Sequence, residues 1–114
     1  MRQLKLKINE KDYILEYNRD SIKWLERAGF NLNEFLAKPV TYIEMLWQSL
    51  FVKNYSNTVN PTLALELMDS YSKEKGSAML MKVISFAIEE YKSFLDALAG
   101  TDSEKTEELE IIEQ

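Results

Sequence analysis

Between Ala78 and Ala99, apolar side chains occupy all but a narrow strip of what the spacing predicts to be one long helix. At a helical advance per residue, Leu80, Ile84, Ala87, Ile88, Tyr91, Phe94, Leu95 and Leu98 share one arc. Met79, Val83, Phe86 and Ala97 widen that arc to roughly 220°, where an ordinary surface helix shows about 100° or a little more. Lys82, Ser85, Glu89, Lys92, Ser93 and Asp96 fill the remainder. Such a helix, about 33 Å long at 1.5 Å per residue, has two ways to satisfy its surface. Either its own neighbours wrap it, or Met79, Val83 and Phe86 stay outside and meet a partner or a second copy. The methionines Met79 and Met81, either side of Leu80, suit both, because a thioether side chain repacks easily.

Upstream the signals change period. Leu4, Leu6 and Ile8 alternate with lysines, and Tyr13, Leu15 and Tyr17 alternate with Ile14 and Glu16 across the polar break Asn9 to Asp12. Period two on both sides of a turn predicts a β-hairpin over about residues 3–17. A lone hairpin is marginal in water, so this one must lay its apolar face on helices or pair with another strand. A helix over 19–28 follows, with Asn18 or Asp20 as N-cap, Gly29 at the left-handed C-terminal position and Phe30 folding back. Residues 32–37 add a further turn before Pro39. Thr41-Tyr42-Ile43-Glu44 has the form of a capping box and predicts a helix over 42–55. That helix puts Ile43, Leu46, Trp47, Leu50 and Phe51 on one face, with Met45 and Val52 nearly opposite. Asn60-Pro61 opens a helix over 61–75, with a stripe of Leu63, Leu67, Met68 and Tyr71, and Gly76 ends it. The long helix then occupies 78–99. The expected fold class is α+β, mainly α: an N-terminal hairpin followed by a four- to five-helix bundle-like domain over residues 1–100.

Residues 101–114 read as a flexible acidic tail. Asp102, Glu104, Glu107, Glu108, Glu110 and Glu113 stand there against Lys105 alone, while the charges of residues 1–100 cancel. A solvated end is one reading, and docking on a partner through Leu109, Ile111 and Ile112 is the other. A neutral body without a basic stripe argues against nucleic-acid binding, whose affinity comes largely from neutralised phosphates. No run approaches the 18–20 apolar residues of a membrane span, and residues 1–8 lack the apolar stretch of a signal peptide. The length is a prior for one domain, large enough to fold without a metal or disulfide staple.

The chain holds no histidine, no cysteine and three glycines. It therefore lacks an imidazole base, a thiol nucleophile, soft metal ligands and a glycine-rich phosphate loop. Glu89 and Glu90 are neighbours in a helix and point about 100° apart, so they do not share a proton or a metal. Six tyrosines titrate near 10 when unperturbed. No enzyme activity and no cofactor is expected. Trp24 and Trp47 are the residue type in which interfaces concentrate energy, but each lies on or beside a predicted core face.

The stretch from the hairpin through Tyr17-Asn18-Arg19-Asp20 and on to Phe35 resembles the tail assembly chaperones of long-tailed phages of Gram-positive bacteria. The matching residues are Ser21, Ile22, Lys23, Leu25, Glu26, Gly29 and Phe30, then Leu46, Leu50, Phe51 and Asn54 in a downstream aromatic helix. The similarity spans about residues 3–99 and rests on packing and turn residues. It implies a protein that binds the tape-measure protein, keeps that long apolar chain soluble and helps recruit the tail-tube protein. It also implies action in the host cytoplasm, absence from the mature virion, and identity with the short form of a pair made by ribosomal frameshifting. The family supplies no catalytic residues. From the residues themselves, Met45, Val52, Met79, Val83 and Phe86 are the expected partner-binding surface. The competing expectations are a structural tail-completion or connector protein of the virion and a small cytoplasmic regulatory binding protein.

Overall fold

A computed structural model describes residues 2–99 of the chain. An N-terminal two-stranded antiparallel hairpin, β1 (Leu4–Ile8) and β2 (Lys11–Leu15), precedes five helices. These are α1 (Arg19–Ala28), α2 (Pro39–Ser49), α3 (Val52–Tyr55), α4 (Pro61–Lys75) and α5 (Ser77–Ala99). The expected acidic tail, with Leu109, Ile111 and Ile112, lies outside the described residues.

The hairpin pairs Leu4 with Leu15, Leu6 with Tyr13 and Ile8 with Lys11. Its turn is the two residues Asn9 and Glu10, with φ of 52° and 65°. Positive φ at both central positions is the I′ geometry that matches strand twist, and asparagine takes it readily. Glutamate does not, so Glu10 holds a left-handed backbone at a cost of about 1 kcal/mol. Period two then does its work: Leu6, Ile8, Tyr13 and Leu15 are buried on one face while Lys5 and Lys7 are exposed on the other.

Helix α1 is bounded by its own chemistry. Asn18 accepts from the Ser21 amide at 3.1 Å, and Ser21 Oγ accepts from the Asn18 amide at 3.1 Å, a reciprocal cap. At the other end Gly29 has φ of 87°, its amide bonds Glu26 O and the Phe30 amide bonds Leu25 O. That pair of bonds is the Schellman motif. Phe30 then turns inward, where its ring meets Tyr42 and Tyr91 edge-on at 5.3 and 5.2 Å. Leu32–Glu34 form a single 3₁₀ turn.

The expected helix over 42–55 is corrected at both ends. Pro39 occupies the first turn, Tyr42 N bonds Lys38 O, and no side chain caps the start, so the Thr41–Glu44 capping box does not form. A proline that supplies the right φ and needs no donor starts the helix one turn earlier. The helix then stops at Ser49. Ser49 Oγ donates to Leu46 O at 2.6 Å, the amides of Leu50 and Phe51 reach back only three residues, and the axis bends before α3 resumes. With its proton committed to Leu46, Ser49 Oγ is left to accept from the Tyr17 hydroxyl, a buried contact with the hairpin.

Helix α4 matches the expected 61–75, capped by Asn60 Oδ1 on the Leu63 amide at 2.8 Å. The core collects Ile8, Leu15, Tyr17, Leu25, Leu46, Trp47, Leu50 and Ile84, all with no exposed surface. Trp47 sits between α2 and α4, and its Nε1–H donates to Ala64 O at 2.7 Å. On α5 the buried ridge is Val83, Ile84 and Ala87. Leu95 and Leu98, placed by periodicity on the core arc, are exposed, Leu98 by 66%.

Backbone conformation sets two opposite expectations. A Cβ at Gly29 would meet nothing within 4 Å, so Gly29→Ala costs only its left-handed backbone, about 1 kcal/mol. Glu10→Gly relieves the same strain and gains a similar amount. Urea unfolding should show the midpoint fall for the first and rise for the second, with slopes unchanged.

Candidate functional site

An apolar cleft opens beside the break after Ser49. Trp24 projects from α1, half-buried, and Phe51 and Val52 follow the bend. Val59 and Pro61 come from the connection into α4, and Ala64 from its first turn. Together they line an open cleft of about 260 Å³, with Gln48, Ser56 and Asn60 as its polar members. Asn60 is already committed to the Leu63 amide. The cleft therefore offers apolar surface and no charged side chain. Its floor is fixed, because Phe51 packs on Trp47, Tyr13 and Tyr55 with ring separations of 5.5, 5.9 and 6.0 Å.

The five expected contact residues separate. Val52 is half-buried and lines the cleft. Val83 is a correction: at 3% exposure it belongs to the core ridge of α5 and offers nothing to a partner. Its place on the arc's flank was read from helix geometry alone, and α2 and α4 reach further around α5 than that reading allowed. Met45 is half-buried and packs against the core, so it too is mostly committed inside. Phe86 is half-buried, and the Arg2 guanidinium covers its ring at 5.0 Å. Met79 stays exposed at 39%, as does Met81. The sequence did not single out Leu36, 91% exposed, or Val40, exposed in the first turn of α2. Nor did it assemble Trp24 with Val59 and Pro61, residues that only the bend after Ser49 brings together.

Buried polar groups are paired for structure. Glu16 accepts from Gln3 Nε2 at 2.6 Å and pairs with Lys53. Glu90, almost wholly buried, pairs with Arg2 at 2.9 Å. Beside that pair a second, wider hollow of about 600 Å³ lies against Arg2, Ser93 and Phe94. Among the described residues no three acidic side chains gather as a metal site. Among them, too, no helix is long and apolar enough to cross a membrane. Burial raises the Tyr17 phenol far above its usual 10, and it also raises Tyr71 and Tyr91. Tyr42 is raised by the hydroxyl bond it donates to Glu34 at 2.9 Å. None of these phenols moves toward neutrality, so none is poised as an acid or base near pH 7.

The elements form a small hairpin-plus-helices domain with an apolar cleft on its surface. The chain belongs to the family described as a domain of unknown function (DUF5055), whose model matches residues 1–111. No curated protein and no solved structure matches it.

The tyrosines give a pH expectation. A phenol whose folded pKa exceeds its unfolded value contributes fully below the unfolded pKa, and that contribution is lost as pH rises above it. Between about pH 7 and pH 9 urea midpoints should therefore be flat, and above about pH 10 they should fall. Tyr17→Phe should lower the midpoint at neutral pH by the loss of one hydrogen bond, about 1 kcal/mol, and flatten the alkaline fall.

Proposed function

We propose that this chain is a phage tail assembly chaperone that holds an apolar helical client, the tape-measure protein, by non-covalent contact and helps bring tail-tube subunits to it. The observation that carries the reading is the apolar cleft between Trp24 and Val52, open to solvent in a chain without histidine or cysteine. An amphipathic helix binds such a groove by inserting apolar side chains spaced one turn apart. The residues that resemble the chaperone family support the reading from a second side. Leu25, Glu26, Gly29 and Phe30 build the end of α1, and that helix presents Trp24 to the cleft.

Further apolar surface is available for a long client. Leu36, Val40, Met79, Met81, Leu95 and Leu98 are all exposed. Several copies along one extended client would multiply modest single-site affinities. Binding by this chain takes place in the host cytoplasm, before the particle is complete.

Co-expression with the tape-measure protein of the same genome tests the proposal. The expected result is a soluble complex of the two chains. Val52→Glu, which puts a charge in the cleft, should weaken binding about tenfold or more while far-ultraviolet circular dichroism stays unchanged. A client equally insoluble with and without this chain would sink the reading. Abundant copies of the chain in purified particles would replace it with the virion-component reading.

A further inference from the structure

The two edges of the hairpin are treated differently. On β2 the Ile14 amide donates to the Tyr55 hydroxyl at 2.7 Å, and Asn54 Nδ2 donates to Ile14 O at 3.0 Å. Those bonds close the β2 edge with side chains of α3. Both Ile14 groups therefore point away from β1, and in an antiparallel ladder the residue opposite points its own amide and carbonyl outward as well. Lys5 stands opposite Ile14, and Lys7 stands opposite Asp12. Both lysines thus turn an amide and a carbonyl to the outer edge of β1, and no described residue bonds those groups. The strand is also held at both ends. Arg2 bonds Glu90 at 2.9 Å, and the Asn9 amide donates to Glu74 Oε1 at 3.0 Å. A row of free backbone groups on a fixed, extended strand is a template for another strand, with little ordering left to do on this side of the contact.

We propose that this edge binds an extended segment of another protein that carries acidic residues at every second position and apolar residues between them. Charge chooses the occupant. The Lys5 and Lys7 side chains are exposed on the outer face of the hairpin. Asp12 answers only Lys5, at 3.7 Å, and Lys7 has no ion pair among the described residues. Side chains opposite each other on paired strands share a face, so partner residues opposite Lys5 and Lys7 stand beside two ammonium groups. The partner residue between them falls on the face of Leu6, which is the buried, apolar one. Lysines on an edge repel most strands, but carboxylates at those two positions turn the repulsion into attraction. A second copy of β1 is disfavoured on the same ground, since in-register self-pairing in either direction sets lysine beside lysine. The mode is strand addition, in which backbone bonds give affinity and alternate side chains give specificity. It uses none of the residues that line the Trp24 cleft.

Amide hydrogen exchange on the full-length chain tests this, with a capped peptide of alternating glutamate and valine as the probe. Saturating peptide should slow the Lys5 and Lys7 amides about tenfold or more and leave those of Leu6 and Tyr13, paired inside the hairpin, unchanged. The same peptide with lysine in place of glutamate should give no protection. Lys5→Glu with Lys7→Glu should reverse the choice, so that the lysine peptide protects positions 5 and 7 and the glutamate peptide does not. Failure of the glutamate peptide to protect the unaltered chain overturns the proposal, and so does equal protection by both peptides. Protection of Lys5 and Lys7 before any peptide is added also overturns it. If that protection rises with protein concentration, a second copy holds the edge; if it does not, the chain covers the edge itself.

Discussion

The indole of Trp47 is the joint on which the other elements rest. It is fully buried, its N–H is bonded to the Ala64 carbonyl of α4, and its ring lies 5.8 Å from Tyr71 and 5.5 Å from Phe51. From Phe51 the aromatic contacts pass to Tyr13 of the hairpin at 5.9 Å, and from there to Tyr55 at 5.4 Å. A two-stranded hairpin has too little surface of its own to persist, so its stability is borrowed through this ring chain. Aromatic pairs with edge-to-face or tilted geometry are worth about 0.5–1.5 kcal/mol each beyond their burial. The indole hydrogen bond adds direction, because Trp47 can satisfy its donor only when α4 sits at one height along α2.

One bend then serves two surfaces. Ser49 spends its hydroxyl proton on Leu46 O and receives the Tyr17 phenol, so α2 ends where the hairpin needs a partner. The redirected residues of α3 send Asn54 and Tyr55 to the β2 edge and turn Val52 toward Trp24. Closing the strand edge and opening the cleft are consequences of the same local departure from helical bonding. A straight helix through residues 49–51 would carry Tyr55 away from Ile14 and leave the β2 edge bare.

The parts that were legible in the sequence are those set by neighbours in the chain. Asn18, Gly29, Asn60, Pro61 and Gly76 marked helix ends by their own backbone chemistry, and alternation gave the hairpin face. The start of α2 was misread because two local signals competed: a capping box at Thr41 and a proline at position 39. Pro39 prevailed, since its fixed φ preorganises the first turn and the capping box is only one way to satisfy free amides. The break at Ser49 was invisible because a serine that bonds back to Leu46 O carries no helix-end signal in the sequence, and its contact with Tyr17 joins residues far apart in the chain. The same holds for the site. Val52 was expected at a contact surface for its position opposite the core, but its cleft needs Trp24, Val59 and Pro61, which periodicity does not join. Val83 failed in the opposite sense, as helix geometry gives an angle and not how far neighbours wrap.

The wide apolar arc of α5 has a dimensional explanation. The helix has 23 residues, α4 has 15 and α2 has 11, so their lengths are about 34, 22 and 16 Å. Neighbours this short leave the C-terminal end of α5 bare, whereas its start lies beside α4, to which Gly76 alone joins it, with Leu80 packed on the core. Val83, Ile84 and Ala87 are accordingly buried, while Met79 and Met81 at one end and Leu95 and Leu98 at the other are exposed. The N-terminal strand helps only in between, where Arg2 covers Phe86 and pairs with Glu90. Covering Leu95 and Leu98 from within would take longer neighbours, and Met79 and Met81 flank the core-packed Leu80 on its outer side, so both apolar surfaces are reachable by another molecule without disturbing the core. The two alternatives posed by the arc thus apply to different segments of the same helix: its middle is the domain's own, and its ends are surface available to a partner.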